Sequence, residues 1–121
     1  MNIFESKVAE MGTTTNRIID GRQKITTSEL IYNWPGGVTV TGFDILTGKK
    51  GDYAVISFKE DPARFYSGGK ALTEICKSWA GMFNTIEDAN DSLAAAGGAH
   101  IKLEQTVTRD GRPYIRVTVG E

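Results

Sequence analysis

Arg64, Phe65 and Tyr66 stand side by side, with Gly68-Gly69 and Lys70 just beyond them. Two rings flanked by a guanidinium and an ammonium suit a ligand that is both flat and negatively charged. The rings stack on planar groups while the cations meet phosphates. Residues of the same two kinds recur elsewhere: Lys49 and Lys50 in "TGKKGD", Arg109 and Arg112 around an Asp-Gly pair, and Tyr53, Tyr114 and Arg116 in alternating segments. If Phe65 and Tyr66 lie on a strand, alternation sends one ring inward and leaves the other on the open face. The plainer alternative is that lysines and arginines sit at hairpin tips because tips are solvated. Convergence of these residues on one face is what would favour a binding role.

The counts exclude several chemistries. Hydrophobic residues make up 40% and charged residues 24% of 121, the balance of one ordinary globular domain. The net charge of −1 supplies no global basic field, so nucleic-acid binding would need a local patch. Cys76 is the single cysteine, which rules out an intrachain disulfide and fits a reducing cytoplasm; its apolar helical setting reads as core, not nucleophile. His100 is the single histidine, so a multi-histidine metal site cannot be built, and a strand-edge or surface role is expected for it. GxxxxGK[ST], GxGxxG and GxSxG are absent, and Glu60-Asp61 reads as a solvated strand end. The expectation is a protein without catalytic centre, cofactor or metal. No apolar run reaches the length of a membrane span, and "MNIFESKVAEMG" lacks the order of a signal peptide.

The elements that must position the candidates follow from periodicity. "TTSELIYNWPGG" predicts a short helix with Thr26 or Thr27 as N-cap, Glu29 in its first turn and a stop at Pro35. "GVTVTGFDIL" alternates at strand period, with a phase change that predicts a bulge near Gly42. "YAVISFKE" places Ala54, Ile56 and Phe58 on one face of a second strand, paired to the first through the Lys49-Lys50 turn. "RFYS" is a short third strand. Leu72, Ile75, Cys76, Trp79 and Phe83 form the apolar stripe of a helix over "KALTEICKSWAGMF". Residues 84–98 predict an acidic helix capped by glycine, and the last segment a hairpin turning at Asp110-Gly111.

Five strands with one helix between the third and fourth is the order of an OB-fold, a small Greek-key barrel, here with short N-terminal and acidic helices added. An open α+β sheet uses the same elements. Closure is preferred because it removes the edges that short strands would otherwise expose. Residues 1–24 are expected to form an N-terminal arm, disordered or an added edge strand, and 25–121 one OB-fold-like domain. A ligand of such a barrel lies across strands 2 and 3 between loops 1–2 and 4–5, the loops that carry Lys49-Lys50 and Arg109/Arg112. That ligand would be a single strand, held without sequence preference.

The stretch Gly37–Leu72, "GVTVTGFDILTGKKGDYAVISFKEDPARFYSGGKAL", joins a glycine-valine strand, a "GFD" turn, an "F-K-E-D" strand end and an aromatic pair before "GGK-L". In this it resembles small phage- and prophage-encoded single-stranded DNA-binding proteins, and it does so more loosely through the following helix and final hairpin. The resemblance implies an OB-fold that binds single-stranded DNA in phage replication or recombination, within the cytoplasm of a bacterial host. Homo-oligomers and replication or recombination proteins are further partners it leaves open. The competing reading is a prophage accessory module whose Phe65-Tyr66 ridge docks a protein.

Overall fold

Strand β2 (Val38–Gly48) organises the sheet because it serves two partners in turn. Its first residues pair antiparallel with β5 (Ala99–Val107), Val38 opposite Ile101 and Val40 opposite Ala99. From Val40 onward it pairs antiparallel with β3 (Gly51–Phe58), down to Gly48 opposite Gly51. The register shifts between Val40 and Gly42, the bulge expected from the sequence. That shift keeps Val38 and Val40 on the same buried face as Phe43.

The computed structural model describes residues 18–120. Three further strands, β1 (Gln23–Ile25), β4 (Arg64–Ser67) and β6 (Pro113–Val119), complete one curled half-barrel sheet in the order β1-β4-β3-β2-β5-β6. The helices of the described residues are α1 (Thr27–Asn33), α2 (Lys70–Gly81) and α3 (Ile86–Ala95). The described residues are therefore mainly β, with six strands where the sequence predicted five. The extra one is β1, parallel to β4 with Ile25 opposite Tyr66. It takes in Gln23 and Lys24 of the expected arm; residues 1–17 lie outside those described.

Closing the five-strand run β4-β3-β2-β5-β6 would require β4 to meet β6. Among the described residues no ladder joins them, and the expected closure is replaced by an opening. The reason is local. β4 is four residues long and its outer edge is already paired to β1. Gly68-Gly69 then turns the chain into α2, which packs against β6 where a closing strand would lie.

The inner face carries the main core: Val38, Val40 and Phe43 from β2, Ala54, Ile56 and Phe58 from β3, and Ile101 and Leu103 from β5. Leu30 of α1, Leu72 and Cys76 of α2 and Ala89 of α3 cover it. The predicted stripe on α2 holds in its first turns. Leu72 and Cys76 are buried and Trp79 meets Phe43 edge-on at 5.6 Å. The helix ends at Gly81, however, and Phe83 lies beyond it, exposed. At its start α1 has the full capping box of Thr26 and Glu29. At its end α3 has a Schellman closure, Gly97 N–H to the Ala94 carbonyl and Gly98 N–H to that of Leu93, with Gly97 at φ 83°.

One buried polar side chain ties helix to sheet. Asn90 of α3 accepts from the Phe43 N–H at 2.8 Å and donates to the Phe43 carbonyl at 2.9 Å and to Ile86 O at 2.9 Å. Removing it leaves buried backbone groups unpaired, each at about 1–3 kcal/mol. Asn90→Ala should therefore lower the unfolding free energy by about 2–4 kcal/mol, read from the urea midpoint at unchanged m-value; a loss within the scatter of surface substitutions would contradict this role.

Candidate nucleic-acid interface

The pleat sends Phe65 and Tyr66 to opposite faces, as alternation requires, yet neither ring is open. Tyr66 is 3% exposed in the main core, and its hydroxyl shares a 2.8 Å hydrogen bond with Thr27 Oγ1. Burial pushes its phenol above the ordinary value. Phe65 is 9% exposed on the outer face, in a second cluster with Val55 and Ile18, onto which Ile19, Leu46 and Tyr53 pack. The expected outward ring is thus covered. The cover is the turn at Ile18–Gly21, outside the segment from which the alternation was read.

Arg64 is also engaged. Its guanidinium meets Glu29 at 3.2 Å and Asp61 at 3.6 Å, fastening β4 to α1. Lys49 and Lys50 are exposed at the two-residue tip between β2 and β3. Arg109 and Arg112 are exposed on the five-residue loop joining β5 and β6. The register carries these tips apart. β5 runs back past Val38 while β2 runs on past Val40, so the loops leave the ladder at opposite ends of β2. The expectation of one groove flanked by both tips is not met along the ladder.

Three of the expected residues do come together. Tyr66, Lys70 and Tyr114 line a groove of 540 Å³ in the opening between β4, α2 and β6, with Leu72, Ile115 and Val117 as apolar wall and Thr27, Ser67 and Glu74 as polar margin. The four tip cations do not line it. Gly68 makes the turn into α2 feasible, since a Cβ there would collide with the Leu72 side chain. Gly69 caps α2 without a side-chain hydrogen bond, and the first turn contains no acid, so the exposed Lys70 is the one formal charge at that helix start.

Beside the groove, Tyr114 and Arg116 share the outer face of β6, opposite Thr106 and Glu104 of β5. The Tyr114 ring is 42% exposed, and Arg116 reaches Glu104 at 3.7 Å. Lys102 joins this face opposite Thr118, two residues along from Glu104, and was missed by the sequence reading. Its alternation with Ile101 and Leu103 was the signal that could have found it. His100, expected at a strand edge or on the surface, lies instead within β5 opposite Thr39, with its Nε2 2.9 Å from the Gly36 carbonyl oxygen. The outer β5–β6 face thus presents one exposed ring beside a guanidinium and an ammonium. Burial pushes the Cys76 thiol up to about 12, and among the described residues no cluster of His, Cys, Asp or Glu is placed to hold a metal. No helix of the described residues is long and apolar enough to cross a membrane.

Because both rings are buried, Phe65→Ala and Tyr66→Ala should each destabilise the fold by about 3 kcal/mol, while Tyr66→Phe, which forfeits the Thr27 bond, should cost about 1 kcal/mol. A thermal or urea series checks this, and an unchanged midpoint for Phe65→Ala would remove the outer cluster from the stability argument. A second expectation concerns acid. The Thr26 hydroxyl and amide, with Arg64, hold Glu29 below its ordinary 4.5, and Lys77, with Thr47, holds Asp52 below 3.8. Lowered folded-state values stabilise above the unfolded value and lose that contribution as pH falls through the folded one. The melting temperature should be level down to about pH 5 and fall below about 4.5, less steeply in Glu29→Gln; an identical acid limb in that variant would refute the assignment.

In comparisons with known proteins, no family model matches the chain, and no curated protein or solved structure matches it either.

Proposed function

We propose that this chain binds single-stranded DNA without sequence preference, using an OB-type half-barrel whose outer β5–β6 face and adjoining groove form the contact surface. The observation that carries the reading is the exposed Tyr114 ring, with Arg116 on the same face of its strand and Lys70 across the groove. A base stacked on Tyr114 contributes about 1–3 kcal/mol almost regardless of its identity. Arg109 and Arg112 on the adjoining loop, with Lys102 on the face, supply the cations that follow a backbone past that ring. The OB assignment is supported by the strand order: β4-β3-β2-β5-β6 is an antiparallel run in which one long, bulged strand is shared between two neighbours. The setting, phage replication or recombination in a bacterial cytoplasm, follows from the sequence resemblance.

A second reading, a protein-interaction module, is favoured by a different place. Met82 and Phe83 are exposed between α2 and α3, over an apolar hollow of 190 Å³ lined by Trp79 and Leu93. Ionic strength separates the two, since apolar docking does not release counterions.

Titration of labelled oligo-dT should show affinity falling with salt, with a log–log slope of about −0.7 per phosphate contact. Tyr114→Ala should cost about 1–3 kcal/mol in binding with the melting temperature nearly unchanged. Serine at 109, 112 and 116 should flatten the slope. Salt-insensitive binding, or a Tyr114→Ala protein that binds like the parent, would turn the assignment toward the protein-interaction reading.

A further inference from the structure

We propose that the outer edge of β6 is a self-association surface, where a second copy of this chain pairs antiparallel about a two-fold axis through Val117. The register of the β5–β6 hairpin determines which groups are on offer. Thr108 N–H bonds to the Arg112 carbonyl at 2.9 Å, and Gly120 N–H to that of His100 at 2.8 Å. Hydrogen-bonded and non-bonded pairs alternate along an antiparallel ladder. Tyr114, Arg116 and Thr118 therefore bond to β5. Ile115, Val117 and Val119, opposite Gln105, Leu103 and Ile101, turn their N–H and C=O groups away from it. Among the described residues no strand takes these groups up. The start of α2 stands off from them across the groove that Ile115 and Val117 line.

The two ends of the sheet differ. β1 is three residues long and carries Lys24, and short length and lysine both discourage pairing at an edge. β6 runs for seven residues, and its stretch "YIRVTV" has no lysine, proline or bulge. Its residues are mostly β-branched or aromatic, and Val119 is 47% exposed. Such an edge is a template for a further strand.

The sequence of β6 complements itself in one register. With the axis at Val117, the outward groups of Ile115 meet those of Val119 in the second copy, and Val117 meets its own counterpart. All three residues are then bonded. Ile115 faces Val119 on the groove side and Arg116 faces Thr118 on the other, so no like charges stand opposite. Moving the axis to Arg116 sets guanidinium against guanidinium and places Pro113, which has no N–H to give, opposite Val119. Moving it to Ile115 places Pro113 opposite Val117. A two-fold axis normal to the sheet is the geometry of a closed dimer, and it leaves both Tyr114-Arg116 faces on the same side. Neither the edge nor its register depends on the single-strand reading.

Sedimentation equilibrium of the nucleic-acid-free chain should show twice the 13.2 kDa chain mass, dissociating on dilution. Val117→Pro removes the central outward donor while sparing the bonds to β5. Val119→Lys places a charge on an exposed position of the edge. Both should sediment as monomers at concentrations where the parent is a dimer, with Val119→Lys deciding where the proline variant fails to fold. Val117→Cys should form a disulfide-linked dimer on mild oxidation, because residues facing across a hydrogen-bonded pair stand about 5.5 Å apart at Cα. Cys76 is buried and does not compete. Ile115→Cys, about 13 Å from its counterpart in this register, should not cross-link. A parent that stays monomeric overturns the proposal and leaves the edge to an extended segment of another protein. A dimer that Val119→Lys leaves intact overturns it as well. Cross-linking at 115 in place of 117 would overturn the Val117 axis.

Discussion

The arrangement depends on how β2 satisfies its backbone once β5 has left it. β5 accompanies β2 only from Val38 to Val40, and the ladder to β3 covers the other side. Just beyond the bulge, the side-chain amide of Asn90 stands where a neighbouring strand would, accepting from Phe43 N–H and donating to Phe43 O. A buried backbone group cannot be left unpaired at small cost, so the amide dictates where α3 sits. With α3 in place, Ala89 and Leu93 close over the same core that Trp79 of α2 reaches through Phe43. Sheet curl and helix placement are thus one problem with one solution.

The same curl creates the groove. Among the described residues no strand pairs with the other side of β6, which faces the first turn of α2 across an opening with apolar wall and polar margin. Three further hydrogen bonds shape its rim. Thr73 Oγ1 donates to the Gly69 carbonyl and accepts from Ala54 N–H, and Gly68 N–H reaches the Ala54 carbonyl. They hold the Gly68-Gly69 turn against β3. Lys70 therefore stands at the groove by virtue of backbone bonding elsewhere, not through an ion pair of its own.

Burial and display compete for the same residues. Fully burying a large apolar side chain is worth about 1.5–3 kcal/mol, and the fold draws on Phe65 and Tyr66 for it. Arg64, between them and the Asp61 turn, is drawn into ion pairs that fix α1 to β4. The residues left for display are those whose neighbours are already satisfied: Tyr114 and Arg116 on the edge strand, Lys70 at a helix start without a side-chain cap, and the four cations of the two tips.

Much of the local structure was legible in the chain itself. The Thr26–Glu29 box, the Gly42 bulge, the Lys49-Lys50 hairpin, the Ala54-Ile56-Phe58 face and the glycine closure after Ala95 each depend on residues a few positions apart, whose dihedral preferences and periodicity act wherever the segment lies. What escaped the sequence were relations between distant segments. Gln23–Ile25 becomes a strand because β4 offers a parallel edge some 40 residues on. Ile18 covers Phe65, Thr27 shares a hydrogen bond with the Tyr66 hydroxyl, and the two basic tips diverge because β5 joins β2 at its beginning. Alternation determines that neighbouring rings point to opposite faces; whether a face is wet or covered is decided by what the rest of the chain packs there, and that is set by tertiary contacts alone.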